Sequence, residues 1–258
     1  MENAHQKAQA DFKLLEAGKT DFNVIFGNLN YVINHALEIF KKDPVNLILA
    51  AAIPLVAAGL IVAILLPILV GLVPAIGGLT VLIGLVVSIV LSLIAYVAMF
   101  KAVVDAVKSG KVDVGAAIGF GVANFIGFFV LGIKILLTIF KGLTNWANSW
   151  LSPLYFVENG GKADEAIKSS QATAAGKTAT LVWTIILVGI CVSILGNILS
   201  SIWFQIFWRI SYDVAQLGTY IIQGLVTPFT IISHFVLRAE LDKHSAPHAA
   251  ASHTSHSA

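Results

Sequence analysis

Residues 152–180 read SPLYFVENGGKADEAIKSSQATAAGKTAT, and this polar stretch separates two long apolar runs. Its first residues end one helix, and Gly160 and Gly161 then form a turn. An amphipathic segment follows and breaks at Gly176, just before the next apolar run begins. The stretch therefore predicts a water-exposed connection between two apolar helices, and the rest of the chain is read outward from it.

The composition on either side indicates a membrane protein. The chain is 57% hydrophobic and 12% charged, whereas soluble domains carry about 25% charged residues. Between Val45 and Lys101 there is no Asp, Glu, Lys or Arg. That run is long enough for two spans of about 20 residues each. We predict an all-α fold, a polytopic membrane helix bundle.

Six apolar spans fit the sequence, with amphipathic interfacial helices on the cytoplasmic side. Their predicted bounds are 45–70, 79–100, 114–133, 135–156, 179–201 and 216–237. The third and fourth spans are open to a second interpretation, because 114–156 could instead be one long helix followed by a surface segment. That alternative gives five spans.

The distribution of Lys and Arg favours six spans. With both termini cytoplasmic, thirteen of the sixteen basic residues lie inside. The three that lie outside are Lys134, Lys141 and Arg209. Five spans would place Lys162, Lys168 and Lys177 outside. The predicted location is therefore the cell's inner (plasma) membrane, crossed several times.

Three regions follow from this pattern. Residues 1–44 form a cytoplasmic arm, predicted to be helical over 1–20, and an amphipathic helix over 21–42 that lies on the membrane surface. A soluble helix packed on a partner is the alternative for 21–42. Residues 45–238 form the six-helix membrane domain. Residues 239–258 are low in complexity and are predicted to be a disordered cytoplasmic tail.

Two segments, YVINHALEIFKKDPVNLIL from Tyr31 and the stretch quoted above, resemble a broad family of bacterial and archaeal six-span membrane proteins of unknown function. That family is related to the membrane domain of glycerophosphodiester phosphodiesterases. The resemblance rests on Pro153, Glu158, Gly160, Glu165, Ala166, Ile167, Ser169, Gly176 and Lys177, with the usual Lys-Gly order reversed at the last two positions. It implies a fold and no activity.

The best candidate site is a polar stripe in the sixth predicted span. Gln223, Thr227, Thr230 and His234 share one helix face, since they are spaced by three or four residues. Ser193 and Asn197 are predicted to face them from the fifth span. Such residues either hydrogen-bond between helices or line a cavity, and both interpretations stay open.

Catalytic patterns are missing from the sequence. We find no paired carboxylates, no nucleophile with a nearby base, and no Cys/His spacing typical of a zinc site. We therefore expect no enzyme, no cofactor and no metal. A net charge of +2 is too weak to suggest nucleic acid.

Two functions remain. The first is a non-enzymatic membrane scaffold that binds lipids or a partner, the partner being a second copy of the chain or another membrane protein. The alternative is a transporter or channel for a small neutral or amphipathic solute, with the polar stripe lining its path.

Overall fold

The computed structural model describes residues 12–16, 19–60, 71 and 77–244, and within them every regular element is a helix. The first four helices are α1 (Phe22–Phe40), α2 (Pro44–Leu60), α3 (Gly77–Ser109) and α4 (Val114–Leu137). A short 3-10 helix, Thr138–Lys141, follows α4. The remaining helices are α5 (Leu143–Asn148), α6 (Ser152–Glu158), α7 (Ala163–Ala174), α8 (Thr178–Phe207) and α9 (Tyr212–Lys243). The predicted all-α class is confirmed.

Three helices are long and apolar enough to cross a membrane, judged by length and composition: Leu82–Ser109, Val114–Lys141 and Thr178–Phe207. They correspond to the second, third and fifth predicted spans. The first predicted span begins as α2, but positions 61–70 lie outside the described residues. The sixth corresponds to α9, which contains Pro228. The chain is therefore compatible with a membrane protein.

The predicted fourth span, 135–156, is wrong as a single helix. α4 ends at Leu137, and α5 and α6 have six and seven residues. A helix of seven residues is about 10 Å long, far less than a hydrocarbon core of about 30 Å. Gly142 has a φ of 117°, which is not helical, so it interrupts the helix.

Side chains in this region bond to the backbone three or four residues earlier, which competes with a continuous helix. Thr138 donates to the Ile135 carbonyl at 2.6 Å, and Ser149 donates to the Asn145 carbonyl at 2.8 Å.

Close backbone approaches at glycines hold the long helices together. α8 and α9 form an antiparallel pair in which Gly196 lies against Val226. α3 and α4 pack at Gly121, where an added Cβ would lie 2.7 Å from the Ile94 carbonyl oxygen. α2 packs along α3.

One end of the bundle carries what we call the polar layer: α1, α5, α6 and α7 together with the C-terminal ends of α3 and α9 and the N-terminal end of α8. Turns at glycines let the chain fold back into it. Gly160 and Gly161 have φ values of 63° and 91° between α6 and α7, and Gly176 has 74° before α8. The turn and the break predicted at these positions are confirmed.

The N-terminal segment is part of this layer. Helix was predicted over 1–20, but the described positions 12–16 and 19–20 are not helical. Phe12 and Leu15 are buried instead, and the Leu15 amide donates to Thr180 Oγ1 at 2.9 Å. Two buried apolar side chains and this hydrogen bond therefore hold the segment against the layer.

α1 confirms the predicted helix over 21–42, with Asp21 as its N-cap. Its buried face consists of Ile25, Asn28, Val32 and Ala36, and it packs against α8 and α9. That face therefore contacts the protein itself, although Phe22 and Phe26 are exposed. The predicted tail from position 245 lies outside the described residues.

Candidate functional site in the polar layer

The centre of the polar layer is a charged cluster formed by Lys108, Tyr155, Glu158, Thr173, Arg238 and Asp242. Arg238 and Glu158 are almost buried, with 13% and 14% of their side chains exposed, and Arg238 Nη1 lies 2.5 Å from Glu158 Oε2. The guanidinium also lies 3.9 Å from the centre of the Tyr155 ring. The cluster therefore joins α9 to α6 by charge and by ring stacking.

Asp242 connects the same cluster to α7. It accepts hydrogen bonds from Thr173 Oγ1 at 2.6 Å and from Tyr155 Oη at 2.9 Å, and Arg238 Nε lies 3.3 Å away. Burial raises the pKa of the Tyr155 hydroxyl, so Tyr155 stays neutral and donates. Each acid in the cluster has a basic or hydroxyl partner, which is typical of a structural network.

Lys177 is buried at the N-terminal end of α8. Its ammonium donates to the carbonyl oxygen of Leu241 at 2.7 Å and to that of Thr173 at 3.2 Å. Burial lowers the pKa of Lys177. The residue therefore ties α8 to the ends of α7 and α9.

A cleft of about 320 Å³ opens beside the cluster, between α1, α3 and α9. Its floor is apolar: Ile39, Val107, Phe235, Val236 and Ala239. Its rim is polar and carries both signs of charge: Tyr31, His35, Glu38, Lys42, Glu240 and Lys243. An apolar floor with a few converging polar groups is typical of a small-molecule site.

The rim is partly ordered by its own contacts. Glu240 Oε1 accepts from the Tyr31 hydroxyl at 2.9 Å and from the Lys243 ammonium at 2.6 Å. The His35 ring stacks on the Tyr31 ring with centroids 4.0 Å apart. Glu38 on α1 and Lys42, in the turn that follows α1, are both exposed and line the cleft. The cleft thus presents fixed aromatic and acidic groups next to an accessible acid and an accessible base.

The polar stripe predicted on the sixth span lies elsewhere. Thr227, Thr230 and His234 are half-buried on α9, and Thr230 donates to the Val226 carbonyl of its own helix at 3.2 Å. The side chain of Gln223 lies outside the described part of the structure. Neither this cleft nor a more open groove at the α3–α4 turn includes a residue of the stripe.

The structure does not turn Ser193 and Asn197 toward α9. Both are exposed, because α8 buries Val188, Val192, Gly196 and Ser200 instead. The buried row is displaced by one residue from the predicted row. The buried row is the more apolar of the two, and the close approach of Gly196 to Val226 places it against α9.

Sequence reasoning missed the charged cluster and the cleft. Glu158 and Arg238 are 80 residues apart in the chain, so local spacing does not indicate that they pair. One local signal was available: Arg238 and Asp242 are four residues apart, so they share a helix face.

Among the described residues no group of three or more His, Cys, Asp or Glu side chains could hold a metal ion. Comparison with known proteins finds no matching family model, no matching curated protein and no matching solved structure. The resemblance to the six-span family therefore stays a prediction, and the function must be argued from the geometry.

Proposed function

We propose that the protein is a non-enzymatic scaffold of the cell's inner membrane, and that it binds a phospholipid head group in the cleft between α1, α3 and α9. The observation that carries the proposal is the make-up of the cleft, an apolar floor beneath a rim with both cations and anions. A phospholipid has the matching parts, an acyl chain joined to a charged head group.

The signs of charge favour a head group with a phosphate and an amine. Lys42 supplies an exposed ammonium group for a phosphate, while Lys243 is already paired with Glu240. Glu38 supplies an exposed carboxylate for a lipid amine. The Tyr31 and Phe235 rings offer apolar surface next to these charges. A solute without charge would use only the floor.

The depth of the cleft fits the same ligand. Lys101 is the first charged residue that follows the apolar body of α3, and Val107 of the cleft lies six residues beyond it. Six helical residues rise about 9 Å, which is comparable to the head-group region on each side of a bilayer. The strong bias of basic residues to this end of the bundle supports a cytoplasmic orientation for both termini.

The stripe on α9 is the site that a transporter would need. Thr230 bonds within its own helix, and the described residues of the stripe line neither the cleft nor the groove at the α3–α4 turn. We therefore limit the proposal to lipid binding.

Lys42→Ala tests the proposal, and Lys41→Ala is its matched control, because Lys41 is also exposed but does not line the cleft. We expect Lys42→Ala to weaken binding of phosphatidylethanolamine about fivefold, since one basic contact near a lipid surface contributes about 1 kcal/mol. Native mass spectrometry of the purified protein, titrated with that lipid, measures the affinity. Lys41→Ala should leave it unchanged.

A second variant separates the cleft from general surface charge. Ala239→Trp fills the floor without changing charge, and it should abolish the specific lipid adduct. Equal losses in Lys41→Ala and Lys42→Ala, or full binding by Ala239→Trp, would contradict the proposal. Retention of the far-ultraviolet circular dichroism spectrum shows that each variant is folded.

A further inference from the structure

α4 is long and apolar enough to cross a membrane, and it packs on α3 at Gly121, but its beginning, middle and end also contact the polar layer. Its first residue follows Asp113, which caps the helix by accepting from the Ala116 amide at 2.9 Å. The preceding Val112 amide donates to Asp43 Oδ2 at 2.9 Å, in the turn between α1 and α2. This end of α4 therefore belongs to the polar layer.

The other end of α4 also reaches a polar element. The Lys134 ammonium contacts both carboxylate oxygens of Asp164, at 2.7 and 2.8 Å. Asp164 lies in the first turn of α7, and 72% of its side chain is exposed. The Lys134 side chain itself is 38% exposed. This ion pair therefore lies at the surface of the protein.

α7 fixes the position of that ion pair relative to the rest of the layer. It has twelve residues, so it is about 18 Å long. Thr173, near its C-terminal end, bonds to Asp242 at the end of α9. Lys134 is thus connected through one short helix to the end of the bundle where α4 begins.

The middle of α4 is held by α6. An added Cβ at Gly127 would lie 3.1 Å from the Phe156 ring. Glu158, two residues after Phe156, forms ion pairs with Arg238 at 2.5 Å and Lys108 at 3.3 Å. Those two residues belong to the C-terminal ends of α9 and α3. The beginning, middle and end of α4 all contact the polar layer.

If α4 crossed the membrane, its contact with α7 would place α7 in the hydrocarbon core. Asp164, Glu165 and Lys168 are exposed on α7, and charged groups in the hydrocarbon core are strongly disfavoured.

The other face of α4 requires an apolar environment. It carries a single exposed stripe at helical spacing: Val122, Ile126, Phe129, Ile133 and Leu136, continued by Phe140 in the 3-10 helix.

We propose that α4 does not cross the membrane but lies in the cytoplasmic leaflet, with this stripe against the acyl chains and its other side packed on α3, α6 and α7. The chain then has four spans, α2, α3, α8 and α9. An amphipathic helix in this position buries its apolar face at the boundary between head groups and acyl chains.

The distribution of basic residues supports four spans independently. Lys134 and Lys141 now lie on the cytoplasmic side and join the thirteen residues already there. Only Arg209, in the turn between α8 and α9, remains outside. Four spans place fifteen basic residues on the cytoplasmic side and one outside, whereas six spans place thirteen and three. The four-span distribution fits the positive-inside rule better.

Single cysteines in a Cys191→Ser background test the side on which α4 ends. Lys141→Cys should react with a membrane-impermeant maleimide in inside-out vesicles and not in intact cells. Arg209→Cys is the matched control and should show the reverse. Reaction of Lys141→Cys in intact cells, or in neither preparation, would overturn the proposal.

The depth of the stripe gives a second test, which does not disturb the Lys134–Asp164 pair. Spin labels at 122, 126 and 133 in the reconstituted protein should lie at depths within one helical turn of each other, about 5 Å. A crossing helix would separate 122 and 133 by about 16 Å, and that result would overturn the proposal. So would shielding of position 126 from lipid-dissolved oxygen, since it would show that protein covers the stripe.

Discussion

Arg238 contacts three side chains from two helices at once. Its guanidinium pairs with Glu158 of α6, lies over the Tyr155 ring and is close to Asp242 of its own helix. Taking this charge out of water is unfavourable, and the surrounding acids offset it. Removing one partner destabilises the folded state, because the remaining charge stays buried without a compensating charge.

Arg238→Met should therefore reduce the free energy of unfolding by about 3 kcal/mol, the usual cost of breaking a buried pair. Lys108→Met is the control. Lys108 pairs with the same Glu158, but 58% of its side chain is exposed, so its loss should cost less than about 1 kcal/mol. Denaturation of the detergent-solubilised protein, followed by tryptophan fluorescence, measures both. Equal losses would show that burial of Arg238 does not determine the effect.

At the scale of single residues, the sequence predicts the positions of turns better than it predicts which side chains contact each other. Gly160, Gly161 and Gly176 were identified because glycine tolerates positive φ, and all three adopt it. The contact between Glu158 and Arg238 could not be inferred, since it depends on how α6 and α9 pack. Ser193 and Asn197 were placed on the wrong side of α8 for the same reason.

At the scale of elements, the packing of α4 on α3 depends on one missing side chain. A Cβ at Gly121 would lie 2.7 Å from the Ile94 carbonyl oxygen and 3.3 Å from the Ala98 nitrogen, and both are backbone atoms that cannot move aside. Gly119, two residues earlier on the same helix, has nothing within 4 Å of its Cβ position.

Gly121→Ala and Gly119→Ala should therefore have opposite effects. Gly121→Ala should destabilise the protein by about 1–3 kcal/mol, because the helices must separate. Gly119→Ala should stabilise it by about 0.5–1 kcal/mol, because alanine loses less conformational entropy in a helix. Unfolding temperatures in detergent report the two directions. A gain in stability from Gly121→Ala would show that α3 and α4 are not in close contact there.

Helix type was predictable from apolar periodicity, whereas helix ends near residue 140 were not. Apolar content continues from α4 into α5 and α6, so hydropathy indicates one more span over 135–156. The breaks arise from Gly142 and from side-chain bonds of Thr138 and Ser149 to the backbone. Hydropathy does not detect this glycine or these side-chain hydrogen bonds, which compete with a continuous helix.

At the scale of the molecule, carboxylates hold the segments of the polar layer together. Asp43 accepts the Val112 amide and the Asn46 side chain, which hold its pKa below the usual 3.8. The Lys134 ammonium lowers the pKa of Asp164. A carboxylate with a lowered pKa stabilises the fold fully above its unfolded pKa and loses this contribution as the pH falls through the folded value.

The protein should therefore lose stability as the pH falls below 3.8, which thermal unfolding at a series of pH values can measure. The double variant Asp43→Asn, Asp164→Asn should show a smaller loss over this interval, since its amides can still accept hydrogen bonds but do not titrate. An unchanged pH dependence in the double variant would assign the effect to other carboxylates.

The all-helical class and the apolar helices were predictable for the whole molecule, because both follow from composition and periodicity. The polar layer was not, since it assembles side chains as distant as Leu15 and Thr180. The sequence shows which segments are apolar, but it does not show which segments pack together. Contacts such as the Lys134–Asp164 ion pair show that in the structure.

The position of α4 also determines the shape of the molecule in cross-section. With α4 lying in one leaflet, that leaflet contains four spanning helices and a fifth helix on its side, while the opposite leaflet contains only the four. A recumbent helix of 24 residues covers about 36 Å of the membrane plane. Under the proposal for α4, the protein is a wedge that displaces more lipid molecules from the cytoplasmic leaflet than from the outer one.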